Sequence, residues 1–238
     1  MKIKPKGAQT LAQIRKYKIH YSTPTQSELN YAYDSICAEC YSRGRTMYKD
    51  EEFFSTRLEE ELAYIKEKGK SYELRIIGAI FDFSDIRNYP VIWQRGAVPR
   101  GSLVLYLLGF SNKNPLPPHY ICPKCRLVET VDTRKYAHGF DLPDKKCSVC
   151  DIVMIKDGHD IKVDLAGYKW GEYPAVLGIN KSIVKGLQKH IDYLFGTYST
   201  IHTTVECIHL QNEVKCKKKD KNPYVSRWYE CKYYKLRR

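Results

Sequence analysis

The sequence predicts an α+β fold, and three observations predict it. Apolar residues recur at helical spacing through much of the first seventy positions. Two Cys-x-x-Cys pairs enclose a middle punctuated by proline and glycine, and the tail alternates apolar with polar residues. These read as helices around a small sheet, a ribbon built on metal, and a C-terminal β-hairpin.

The stretch to about Tyr21 is basic, with weak helical spacing at Leu11, Ile14 and Tyr17 that Thr23-Pro24 interrupts. A helix is predicted from about Ser27 to Arg43, where Leu29, Tyr33, Ile36 and Cys40 share an apolar face. A second spans Asp50 to Lys68, with Phe53, Phe54, Leu58, Leu62 and Ile65 inward, Glu/Lys pairs on the wet face, and Gly69 as its stop. The run LRIIGAIFDFSDI fits a buried strand and an apolar helix equally, because period alone does not separate them. Residues 181–196 regain helical spacing at Ile183, Leu187, Ile191 and Leu194. VECIHLQNEVKCKKK and SRWYECKYYKL alternate on either side of Asp220 to Pro223, which predicts a two-stranded hairpin.

Cys122 with Cys125 and Cys147 with Cys150 stand 21 residues apart. Each pair places two thiolates on one tight turn, and two such turns supply the four ligands of a closed tetrahedral zinc. No position remains for water, so the expected single zinc ion holds structure and does not catalyse. The bland alternative is four ordinary reduced thiols. A third pair, Cys37 with Cys40, falls on a predicted helix and reads as buried thiols; a lesser alternative joins it to Cys207, Cys216 or Cys231 in a second zinc site. MKIKPKGAQT lacks the apolar core of a signal peptide, and the apolar run Leu103 to Phe110 is too short to span a bilayer. The expected location is therefore cytoplasmic, where nine cysteines stay reduced.

The net charge of +13 is concentrated at the two ends. Residues 1–20 carry six Lys or Arg and no acid, residues 205–238 carry ten against four acids, and the middle is close to neutral. Such ends favour polyanions, and Tyr224, Trp228, Tyr229, Tyr233 and Tyr234 are interleaved with the cations as stacking surfaces for unpaired bases. The candidate DNA-contacting residues are Arg100, Lys217, Lys218, Lys219, Arg227, Trp228, Tyr229, Tyr233 and Arg237. The bland alternative is a solvated basic surface that keeps the protein soluble. Neither a membrane nor a small-molecule substrate is indicated.

NPLPPHYICPKC at 114–125, HGFDLPDKKCSVC at 138–150 and KDGHDI at 156–161 together resemble the zinc-bearing insert in the palm of PolC-type DNA polymerase III alpha subunits, the C-family replicative polymerases. The resemblance covers roughly residues 50–200 and is strongest at 114–161. It implies that RLEEELAYIKEKG is the helix preceding the palm, that LRIIGAIFDFSDI is helical, and that SLVLYLLGF is the helix behind a phosphate-facing loop. The implied organisation is a basic segment at 1–24, a helical palm-like region at 25–113, a zinc insert at 114–160, the rest of a reduced palm at 161–204, and a basic aromatic hairpin at 205–238.

The family's chemistry needs two divalent cations held by rigid carboxylates. Two of these carboxylates come from an Asp-x-Asp in a palm segment reading PDID; the matching segment here reads PAVL, with Ala175 and Leu177 in their places. The loop before SLVLYLLGF keeps Arg100, Gly101 and Ser102 but is about five residues short of the family's Gly/Ser-rich phosphate cradle. Asp160, Asp164 and Glu172 lie nearby but match the approach to the strand, not its ligand positions. His119 and His159 read as scaffold and His138 as a loop residue, so no catalytic residue is predicted. A chain of 238 residues is also short for a replicative polymerase. The leading expectation is a catalytically inert palm-and-zinc module that binds DNA or a replisome component, as a mimic or competitor of a host polymerase, with a phage or mobile element as owner by analogy. The alternatives are an alpha-subunit fragment whose carboxylates come from another chain, and a structural zinc protein with protein partners only.

Overall fold

The first long helix starts where its sequence can cap it. Thr25 Oγ1 accepts the Glu28 N–H at 3.3 Å, and the Glu28 carboxylate accepts the Thr25 N–H at 2.7 Å, a reciprocal capping box. In the computed structural model, which describes residues 14–93, 101–162, 175–196, 200–203, 210–212 and 215–216, helix α1 then runs Gln26–Met47. Its inward stripe is Ala32, Ile36, Cys40 and Gly44, four residues apart along one face. Helix α2, Glu52–Glu67, buries Phe54, Leu58, Leu62 and Ile65 as its spacing predicts. It also buries Glu61, which the sequence reading had left on the wet face.

LRIIGAIFDFSDI is helical, as the polymerase resemblance implied. Helix α3, Ser71–Asp85, buries residues all round its circumference because α1 and the later helix α5, Val184–Phe195, cover it. Between α3 and α5 come the short strand β2, Ile92–Trp93, and helix α4, Leu103–Leu107. In α5, Leu187 and Ile191 face inward, but Leu194 is 47% exposed and corrects the expectation that it packs with them.

The first described residues correct the expectation of weak helix. Strand β1, Ile14–His20, lies at the centre of an antiparallel sheet in the order β2-β6-β1-β7, with β6 at Val176–Asn180 and β7 at Thr200–Thr203. Tyr17 and Ile19 are buried, whereas Lys16 is exposed and Lys18 half-buried. That period of two lets a strand bury one face, and it overrides the looser spacing of Leu11, Ile14 and Tyr17. Opposite Tyr17 stands Leu177, and Ile19 donates its N–H to the Ala175 carbonyl at 3.2 Å.

The middle of the chain forms a second antiparallel sheet, in the order β4-β3-β5, from Val128–Thr130, His119–Ile121 and Ile155–Asp157. Its own small core holds Tyr120, Cys122, Leu142, Cys147 and Met154. In the tail, β8, Leu210–Asn212, pairs antiparallel with β9, Lys215–Cys216, so strand pairing occurs within the segment expected to be one strand, before the expected turn at Asp220 to Pro223. The rest of the expected hairpin lies outside the described residues. None of the helices in the described residues is long and apolar enough to cross a membrane.

The three strings that carried the polymerase resemblance meet at the joint between this ribbon and the helices. Asn114, fully buried, donates through Nδ2 to the Tyr48 hydroxyl at 2.8 Å and to Asp157 Oδ2 at 2.7 Å. Asp157 Oδ2 also accepts the Tyr106 hydroxyl at 3.1 Å, and its Oδ1 accepts the Gly158 N–H at 2.7 Å. Burial raises the phenol pKa of both tyrosines, so they stay neutral donors or acceptors. The Leu116 carbonyl accepts the N–H groups of His159 and Asp160, and the Gly139 N–H reaches the Gly158 carbonyl at 2.6 Å. Gly139 lies so close to Asp157 that a Cβ there would overlap its carbonyl, and Gly158, at φ 92°, would strike Pro117 in the same way.

His119 sits beneath the joint, edge-on to Phe53 at 4.8 Å and to Tyr48 at 5.8 Å between ring centroids. Its Nδ1 donates to the Pro117 carbonyl at 2.6 Å, while Nε2 is buried without a partner. Desolvation lowers its pKa below the usual histidine value.

Two measurements check this joint. Asp157→Ala strands the donors of Asn114 and Tyr106 and is expected to cost about 2–3 kcal/mol in denaturant unfolding. Because the depressed pKa of His119 means that the unfolded chain binds the proton first, stability falls as pH drops below about 6.5, and His119→Gln flattens that part of the pH–stability curve.

Candidate metal centre

Each cysteine pair sits on a turn of the same construction. In the first, the Cys122 N–H donates to the Leu127 carbonyl and the Arg126 N–H to the Cys122 carbonyl, both at 2.9 Å. In the second, the Cys147 N–H donates to the Ile152 carbonyl and the Asp151 N–H to the Cys147 carbonyl, again both at 2.9 Å. The residue after the second cysteine has positive φ in both, 60° at Arg126 and 49° at Asp151. That left-handed step folds the chain back on itself and turns both sulfurs of a pair to one side.

The two turns face each other. All four Sγ atoms lie within 4.8 Å of one another, and Cys125 and Cys147 are 3.7 Å apart. A tetrahedral centre with metal–sulfur bonds of about 2.3 Å needs sulfur–sulfur edges of about 3.8 Å. The four cysteines are free thiols, so they fit a metal ion and form no disulfide. Amide donors favour the thiolate form at Cys122, chiefly the Cys125 N–H, whose nitrogen is 3.4 Å from the sulfur, then the Lys124 N–H, and they bring its pKa down to about 6. Cys150 goes the other way, to about 12, because its neighbours Cys125 and Cys122 favour its protonated form.

The ribbon is tied to the helices beside this centre as well. Arg126 donates through Nη1 to the Arg45 carbonyl at 2.9 Å, and its own carbonyl accepts the Lys49 N–H at 3.1 Å.

Other predicted residues separate into those the structure places and those outside the described residues. Cys40 is buried and Cys37 half-buried on α1, the buried-thiol reading, and burial is the main cause raising both pKa values. Among the described residues the four-cysteine set is the one group of three or more potential metal ligands. Arg100, Lys217, Lys218, Lys219, Arg227, Trp228, Tyr229, Tyr233 and Arg237 lie outside the described residues, as do Asp164 and Glu172. Ala175 and Leu177 are fully buried, and they face the helical core together with Ile179.

Sequence reasoning missed the use made of Glu61. Its carboxylate accepts from Ser102 Oγ at 2.7 Å, from the Leu103 and Val104 N–H groups at 3.0 and 3.1 Å, and from Arg57 Nε at 2.6 Å. Arg57 Nη2 then reaches the carbonyls of Gly101 and Ile161. The amides and hydroxyl that head α4, the helix that the resemblance sets behind the family's phosphate-facing loop, are thus engaged by an internal carboxylate. In RLEEEL the Arg57/Glu61 spacing is that of an ordinary surface ion pair, so no sequence signal separates this brace from a wet one.

No family profile matches the chain. Individual relatives do, among them PolC-type DNA polymerase III proteins from three bacteria. The Thermotoga petrophila protein is 37% identical over 147 residues, 61% of this chain and 11% of the relative. The Bacillus subtilis protein is 34% identical over 174 residues, 72% of this chain and 12% of the relative. The Staphylococcus haemolyticus protein is 34% identical over 193 residues, 79% of this chain and 13% of the relative. The chain therefore matches only about an eighth of these relatives' length.

Replacing Cys122 or Cys147 by Ser should lower the bound metal measured by mass spectrometry and the melting temperature together. Chelation should have the same effect, because in such centres ligand binding and folding share one free energy.

Proposed function

We propose that this chain, PolC-like over most of its length, is a catalytically inert palm-and-zinc module that binds DNA or a protein of the replication machinery. The observation that carries the reading is the strand Val176–Asn180 with Ala175 before it: Ala, Val, Leu, Gly, Ile and Asn offer no carboxylate on either face. Two-metal nucleotidyl transfer needs such groups fixed in place. Carboxylates at 175 and 177 would, moreover, have to be buried among Tyr17, Ile19 and Ile179, at the cost of an unpaired charge in an apolar core.

The engagement of Ser102, Leu103 and Val104 by Glu61 supports the same reading, since donors already used inside the fold are not offered to a triphosphate. The thiolate set favours zinc, in a closed centre that holds the ribbon. Free cysteines suit the reducing cytoplasm. DNA contact is assigned to the basic C-terminal tail, with Lys217, Lys218, Lys219, Arg227, Trp228, Tyr229, Tyr233 and Arg237 as its residues, and to Arg100 in the middle of the chain. Lys16 and Lys18, on the sheet face turned away from Tyr17 and Ile19, extend that basic character. In a cell the module would occupy a site that a related polymerase uses, and so compete with it.

One observation favours a second reading. The chain matches only 11–13% of the relatives described above, which fits an alpha-subunit segment that works with carboxylates from another polypeptide.

Primer extension with magnesium and dNTPs tests inertness: no incorporation is expected from the purified chain, and incorporation overturns the proposal. DNA affinity should fall steeply with salt, and replacing Lys217, Lys218 and Lys219 by Ala should flatten the log–log salt slope by about 3 if each meets a phosphate. A slope unchanged by these substitutions would remove the tail from the interface.

A further inference from the structure

We propose that helix α5 and the turn before it carry a track for single-stranded DNA, made by Lys181, Lys185 and Lys189 with Tyr193 at its end. This track deepens the DNA reading above and rests on it. The four residues follow one another at every fourth position, so they form one row at steps of about 6 Å. Ile183, Leu187 and Ile191 hold the opposite face in the core, which turns the row to solvent. All four side chains are exposed, that of Tyr193 by 85%. Among the described residues none of the three lysines makes an ion pair. The ribbon's Lys145, Lys146 and Lys156 differ, since each is paired with an acid. Asp192, the one acid of α5, accepts Gln188 Nε2 at 2.7 Å.

Like charges four residues apart on a helix repel, so an uncompensated lysine row costs the helix stability. A strand of phosphates laid along the row removes that repulsion and releases its own counterions. Arg87, just past the end of α3, adds a cation at the flank. Its guanidinium lies 3.5 Å from the centre of the Phe83 ring, and the same ring meets that of His190 of α5 at 5.2 Å. Tyr193 decides which form of DNA fits. An aromatic ring standing in water beside a phosphate track offers its face to an unpaired base, whereas the base faces of a duplex are already stacked on one another. An anionic membrane would need an apolar helix face to bury, and in α5 Leu187 and Ile191 are enclosed by the core.

Fluorescence anisotropy of labelled oligo-dT, and of a duplex of the same length, measures binding across a range of salt concentrations. Metal content and melting temperature are checked for the intact chain and every variant. The intact chain should bind the single strand more tightly than the duplex. Replacing Lys181, Lys185 and Lys189 together by Ala should weaken that binding and reduce the log–log salt slope by about 2, at roughly 0.7 for each phosphate contact on a single strand. The melting temperature should not fall, because the repulsion within the row is gone. Tyr193→Ala should weaken binding about tenfold with the slope unchanged, and Tyr193→Phe should keep the intact affinity. If the α5 lysine variant binds as the intact chain does while substitution of Lys217, Lys218 and Lys219 weakens binding, the track falls and the DNA reading stands. If the intact chain binds neither oligonucleotide, both fall. Equal or tighter binding of the duplex, or full affinity in Tyr193→Ala, overturns the assignment to single strands.

Discussion

The orientation of the ribbon on the helices depends on one half-buried carboxylate. Asp157 ends the last strand of the ribbon, and its two oxygens collect the hydroxyl of Tyr106, the amide of Asn114 and the N–H of Gly158. Through Asn114 the same network reaches Tyr48, at the end of the first long helix. A carboxylate in this setting is tolerated only when its acceptor positions are used, and each used position fixes another element in space. The two cysteine turns lie at one part of the ribbon, and Asp157 with Asn114 settles where that ribbon points.

The same logic governs two fully buried acids, Glu61 and Glu73. Glu61 holds the head of α4, and Glu73 accepts the Ala175 N–H at 2.8 Å and the Lys70 ammonium at 2.9 Å, which ties α3 to the start of β6. Glu61, Glu73 and Asp157 thus act as brackets between segments distant in sequence. Among the described residues none of the three belongs to a group of three or more potential metal ligands. In this chain these three carboxylates build the scaffold.

The sequence made the metal turns and the long helices legible for a physical reason: each is specified by residues close together in the chain. A Cys-x-x-Cys turn needs four residues, and a capping box such as Thr25 with Glu28 also needs four. What stayed hidden is non-local. Asn114 lies 43 residues from Asp157 and 66 from Tyr48, and nothing in NPLPPHY announces those partners. Glu61 sits in a pattern that surface helices use everywhere, and only the approach of Ser102, 41 residues on, removes it from water. Strand β1 was misread for a related reason, since its alternation is short and its partners Val176–Asn180 come more than 150 residues later.

The strings shared with the polymerases then make structural sense without any catalytic role. PLPPHY, GFDLPDK and KDGHDI supply the carbonyl of Leu116, the amide of Gly139, the carboxylate of Asp157 and the two glycines that permit backbone to touch backbone. A joint of this density tolerates few substitutions, because every position is either a hydrogen-bond partner or a close contact. A strand that only packs one face against helices accepts any apolar residue of suitable volume, which leaves Ala175 and Leu177 free to differ. Local constraint is therefore tight at the joint and loose on the strand.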